Sequence, residues 1–161
     1  MKNFKKGFTL IELLVVVAII GLLASITMGY LGSARKKGND TAVKTNLATA
    51  RTSIEIFFLN NNNTYLPAGD TAANGEACPL VYNASGANMF SRSKETVDSI
   101  AEAVKRGGNG SACYNSDNLW AVAVGLSLTE NTSWCVDVAG GAKIVNAIPS
   151  AAINPLTLLC N

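Results

Sequence analysis

Histidine is absent from this 161-residue chain, so the commonest general base and metal ligand is missing. A nucleophilic Cys–His pair is excluded, no paired carboxylates stand beside a His, and no glycine-rich phosphate loop precedes a helix. The chain therefore reads as a non-enzyme, with no catalytic residue, metal site or cofactor to nominate. Acidic residues stop at Asp137, which leaves the C-terminal segment without carboxylate side chains for a hard cation. Proline is absent until Pro67, so nothing before it forbids a continuous helix. Charge is sparse, at 15% of residues, and nearly balanced, with a formal net of +2. Lys2, Lys5 and Lys6 precede Gly7. Without those three of the 13 basic residues, ten remain against 11 acidic ones, a net of −1. That near-neutrality argues against a strongly basic nucleic-acid binder.

What is present begins with an apolar run. A cationic head, Lys5-Lys6-Gly7, meets Phe8-Thr9-Leu10-Ile11-Glu12, and from Leu13 to Ala24 no side chain is polar. About twenty apolar residues cross a bilayer core, so residues 8–31 suffice for one span. A carboxylate inside such a run, Glu12, is expensive and usually functional; the plainer reading is an interfacial residue of a simple anchor. Gly7 precedes the apolar run instead of following it, unlike an ordinary secretory signal; cleavage near Ala24-Ser25 is the rival reading. Arg35, Lys36 and Lys37 mirror the leader's three lysines, so the positive-inside rule leaves orientation open. A solvated flank is the default role for that second cluster.

The four cysteines are Cys78, Cys113, Cys135 and Cys160. An even number without a Cys-x-x-Cys spacing fits two disulfides in an oxidising compartment and disfavours a zinc knot. This places the cysteine-bearing part outside the cytosol. Of three pairings, Cys78–Cys113 and Cys135–Cys160 are favoured, because each closes a local unit.

After Gly38, where Asn39 or Asp40 can cap a helix, Val43, Leu47, Ala50, Ile54, Phe57 and Phe58 form one helical stripe. The simplest reading is a single helix from about Phe8 to Leu59, with loosening at Gly29–Gly32 and Gly38 as an option. Residues 64–92 read as loop, and Ser93–Arg106 as a short helix stopped by Gly107-Gly108. Strand signals lie at 119–124, 133–138 and 142–147, the last two joined as a hairpin through Ala139-Gly140-Gly141. The tail from Ile148 reads as a loop pinned by Cys160. Trp120 and Trp134 are read as sheet-core residues, and Phe57, Phe58, Tyr30 and Tyr65 as packing rather than a conducting chain. The Asn-x-Ser/Thr matches at Asn62, Asn83, Asn109 and Asn131 are of the kind that arises by chance in an Asn-rich chain. The fold class is α+β: a long N-terminal helix and a small antiparallel sheet of three to four strands.

Residues 5–14, Lys-Lys-Gly-Phe-Thr-Leu-Ile-Glu-Leu-Leu, with the apolar run behind them, resemble the processing site of type IV prepilins and of type II secretion pseudopilins. The resemblance implies a cleaved leader (1–7), a transmembrane or filament-core helix (8–31) and an extracytoplasmic head (32–161) that includes an amphipathic half-helix (39–59). It further implies cleavage between Gly7 and Phe8 by a prepilin peptidase, methylation of the Phe8 amine, and pairing of Glu12 with the Phe8 amine of a neighbouring subunit. The implied partners are other copies of the chain in a helical homopolymer, the pilus assembly machinery of the cytoplasmic membrane, and membrane lipid before assembly. The implied locations are that membrane, then the cell surface. Many family members carry a mid-helix proline; here Gly29 stands in that region. A pseudopilin is the near alternative, although some major pseudopilins hold calcium in an acidic C-terminal loop, which this chain lacks. A minor pilin binding DNA or a surface is the alternative from another class, and nucleic acid stays an unsupported partner.

Overall fold

The computed structural model describes residues 8–161; the expected leader, with Gly7, lies outside the described residues. Helix α1 runs Leu10–Asn60 without interruption, through Gly21, Gly29, Gly32 and Gly38. The loosening considered for Gly29–Gly32 and Gly38 does not occur. Each glycine costs a helix about 1 kcal/mol relative to alanine, which does not break a helix that has no proline and long runs of Leu, Ile, Val and Ala. Asn39 and Asp40 cap no new helix, because α1 is already under way. It ends where Asn62 and Asn63 adopt left-handed φ of 56° and 57°, a conformation that asparagine tolerates better than most residues.

The chain divides into two compact units, one ending at Arg35 and one spanning Lys36–Asn161. In the first, every described side chain is exposed. By length and composition the helix is apolar enough to cross a membrane.

The second unit is a four-stranded antiparallel sheet of order β1-β2-β3-β4: Ser111–Asn115, Trp120–Gly125, Ser133–Asp137 and Ala142–Val145. Strand β2, Trp-Ala-Val-Ala-Val-Gly, is buried throughout, because both of its faces are covered. Trp120, Val122 and Val124 belong to the larger core, with Val43, Leu47, Ala50 and Ile54 of α1. Ala121 and Ala123 point the other way, into a smaller cluster with Ala112, Tyr114, Cys135, Ala152, Ile153 and Cys160. Strand alternation thus sorts large residues toward the helix and small ones toward the tail, letting the C-terminal segment lie close to the sheet. That segment is more ordered than a pinned loop. It forms a short 3-10 turn, Pro149–Ala151, and an isolated bridge between Ile153 and Cys160.

Two further elements complete the unit. Helix α2, Met89–Arg92, lies inside the stretch read as loop and buries Met89 and Phe90. Helix α3, Lys94–Gly107, is capped by Ser93, whose Oγ accepts from Thr96 N, and is closed by Gly108 at φ 76°. Cys78 is bonded to Cys113 and Cys135 to Cys160, tying the long loop to β1 and the tail to β3.

Buried polar groups lock these parts together. Asp137, 3% exposed, accepts from Gly141 N at 2.8 Å, closing the β3–β4 turn, and from Cys160 N at 2.9 Å, holding the tail. Arg51 of α1 donates to the carbonyls of Asp137 and Gly141, both at 2.6 Å, so the hairpin turn is fastened to the helix. Asp40, from the middle of α1, accepts from Ser127 N at 2.7 Å and Ser127 Oγ at 2.8 Å. It thereby caps the β2–β3 loop instead of a helix.

Candidate functional site

The start of α1 carries the residues singled out by the sequence. Thr9 precedes the helix, and Glu12 lies in its first turn. Glu12 Oε2 accepts from Thr9 N at 2.9 Å and from Thr9 Oγ1 at 2.8 Å, while Glu12 N donates to Thr9 Oγ1 at 3.3 Å. This is a capping box, which satisfies orphan N–H groups that a helix N-terminus would otherwise leave open. The signal for it, Thr9-Leu10-Ile11-Glu12, is the Ser/Thr-x-x-Glu pattern and stood in the sequence unread. A negative carboxylate in the first turn also faces the positive end of the helix dipole.

Phe8 and Glu12 share one face: both line a shallow groove with Ile11, Val15 and Val16. Four residues bring the helix back to the same side. Phe8 is 75% exposed and Glu12 is exposed as well. The box engages Oε2; Oε1 takes no part in it. The site therefore offers one carboxylate, oriented by Thr9, at the head of an exposed apolar surface. A carboxylate so placed can pair with a cation; among the described residues of the groove, no second acid accompanies it.

The other singled-out aromatics, apart from Tyr30, lie in the head. Phe58 and Tyr65 pack with ring centroids 4.4 Å apart, and Tyr65 meets Trp120 edge-on at 6.5 Å. Tyr65 Oη donates to Glu55 Oε2 at 2.9 Å, and Trp120 Nε1 donates to Glu55 Oε1 at 3.1 Å. Burial, reinforced by the hydrogen bond to Glu55 and by its charge, pushes the Tyr65 phenol up to about 12. Tyr30 is exposed on the first unit. Among the described residues, no group of three or more Cys, Asp or Glu is placed to hold a metal ion.

Comparison with known proteins bears on this N-terminal site. Residues 2–28 match the family model for the prokaryotic N-terminal methylation motif. The Type IV wide pilus major component PilA4 of Thermus thermophilus is 48% identical over 62 residues, 38% of this chain and 47% of that protein. A Type IV major fimbrial protein FimA of Dichelobacter nodosus is 42% identical over 60 residues, 37% of this chain and 38% of the relative. A Type IV major alpha-pilin of Moraxella bovis is 43% identical over 53 residues, a third of each chain. The matched part spans less than half the length of each of these relatives. No solved structure gives a significant match. An α+β protein with a long apolar N-terminal helix is the class that fold and site define. The likeness is confined to the N-terminal part of the chain, where it falls on a methylation motif and on proteins named as type IV pilus, fimbrial and pilin components.

Proposed function

We propose that this chain is a structural subunit of a type IV pilus. It is held in the cytoplasmic membrane through residues 8–31 with its head outside the cytosol, cut between Gly7 and Phe8, methylated on the Phe8 amine, and polymerised through its N-terminal helix. The observation that carries this reading is an uninterrupted helix whose first turn bears the only acid of an exposed apolar run, Glu12, on the face of Phe8. An exposed apolar surface of this length needs lipid or other helices to cover it. Once the leader is gone, the new Phe8 amine is the positive group nearest in sequence to Glu12.

Pairing across a subunit boundary makes the contact head-to-tail and non-closing, which builds a helical filament. A misregistered Glu12 would be buried unpaired, at a cost of several kcal/mol. The carboxylate thus sets register as well as adding affinity. The head supplies the filament's outer surface, and the two disulfides suit exposure to an oxidising medium. Electron microscopy of expressing cells tests the assembly: long surface filaments support the pilus, and short periplasmic ones favour a secretion pseudopilus.

A further inference from the structure

Between the last turns of α1 and the junction of α2 with α3, the head carries a groove of about 570 Å³, within the size range of small-molecule sites. Helix α1 contributes Ile56, Phe57 and Asn60, the loop before α2 contributes Tyr82, and the junction contributes Arg92 and Glu95. Ile56 and Tyr82 are 53% and 44% exposed, and Phe57 packs partly buried against the core. Arg92 is fixed from behind: its Nη1 donates to Asp70 Oδ1 at 2.6 Å. The Asp70 side chain is only 7% exposed, and its Oδ2 is buried with no hydrogen-bond partner among the described residues. Buried carboxylate oxygens are normally satisfied, so the pair is better suited to aiming Arg92 than to stabilising the head.

The lining narrows the class of ligand. Its charges are balanced, because Arg92 faces Asp70, Lys94 pairs with Asp98 and Glu95 adds a negative charge. That balance disfavours phosphate, nucleic acid and other polyanions. A wholly apolar ligand would desolvate Asn60, Arg92 and Glu95 without replacing their hydrogen bonds. No strand lines the groove, so an extended peptide finds no edge to pair with. Its three apolar side chains, Ile56, Phe57 and Tyr82, fall short of the anchor row that a docked helix needs. A hydroxyl both donates and accepts. Arg92 and the Asn60 amide group offer donors, and Glu95 and the Asn60 amide oxygen offer acceptors, beside two aromatic rings that can take the apolar face of a sugar.

We infer that this groove binds a neutral saccharide, its ring against Phe57 and Tyr82 and its hydroxyls on Asn60, Arg92 and Glu95. Asp70 is a positioning residue that holds Arg92 toward the ligand. This binding is separate from assembly through the N-terminal helix.

The test titrates the full chain, kept unassembled in a phosphocholine detergent that carries no sugar, with cellotriose and with chitotriose. Nuclear magnetic resonance follows the Asn60 side-chain amide and the Arg92 Nε–H, and saturable shifts at both groups with either probe are expected. Tyr82→Ala should weaken binding roughly tenfold, while Tyr82→Phe keeps the ring and retains it. Arg92→Lys keeps a cation beside Asp70 but loses the planar fork, and should weaken binding severalfold. Amide spectra otherwise unchanged would show that the variants fold. Absence of saturable shifts with both probes would overturn the inference, as would undiminished binding in Tyr82→Ala. Tighter binding of trigalacturonate than of either neutral probe would overturn it by making the groove an anion site. Shifts that follow protein concentration alone would assign the groove to a second copy of the chain. Because the chain is unassembled throughout, none of these outcomes depends on whether it forms a filament.

Discussion

Thr9 and Glu12 hold each other in a reciprocal box at the start of α1, with the carboxylate accepting from both the backbone and the hydroxyl of Thr9. The carboxylate thus has a local partner in the isolated subunit, so capping and the proposed subunit pairing can be separated by mutation. Thr9→Ala removes the hydroxyl and should cost the helix start about 1 kcal/mol while filaments still form, because the amine of a neighbouring subunit can take over. Glu12→Val should leave head folding and leader cleavage intact and reduce filament yield to a small fraction of wild type. Equal assembly defects in the two variants, measured in sheared filament preparations, would reassign Glu12 to capping alone.

Tyr65 gives a pH signature for the head. Its folded-state pKa is raised to about 12 from an ordinary 10.0, so folding favours the protonated phenol. The resulting stability is fully present below pH 10 and is lost as pH rises through about 12. The stability difference between wild type and Tyr65→Phe should be flat up to pH 10 and shrink above it. Chemical unfolding across that range checks this, and a constant difference at high pH would contradict the Tyr65–Glu55 assignment.

Asp137 joins the β3–β4 turn to the C-terminal tail through two backbone N–H groups. Asp137→Ala leaves both donors without their acceptor, and each unsatisfied buried group costs about 1–3 kcal/mol. The variant should unfold at clearly lower denaturant concentration, with faster exchange at the Gly141 and Cys160 amides. Protection unchanged at Cys160 would show that the tail is held by its disulfide alone.

These features differ in how legible they were. The helix stripe from Val43 to Ile54, the Ser93 cap and the Gly140-Gly141 hairpin follow local chemistry, and each could be read from neighbouring residues. Strand β1, Ser-Ala-Cys-Tyr-Asn, could not. It is five residues long, follows Gly108-Asn109-Gly110, and shows no clean alternation because helix and tail cover opposite faces of the sheet. Helix α2 was missed because four residues give no period to detect. The clamps made by Asp40 and Arg51 join positions 86 to 90 residues apart, and that of Asp137 reaches 23 residues on to Cys160, relations no local pattern encodes. At the N-terminal site the motif identified Glu12, but Thr9 as its partner went unread despite the capping-box spacing.

Gly107 tests the packing of α3 on the sheet. A Cβ there would collide with the carbonyl of Gly125 at the end of β2, a backbone group unable to swing aside. Gly107→Ala should destabilise the head by about 1–3 kcal/mol, despite alanine's better helix propensity. A variant as stable as wild type in thermal unfolding would mean that α3 is free to shift away from β2.

The central claim is that Phe8 becomes the N-terminus of an assembling subunit. Mass spectrometry of intact protein from purified filaments measures this directly. A chain beginning at Phe8 with one added methyl group is the predicted result; a chain beginning at Met1 or at Ser25 would contradict it.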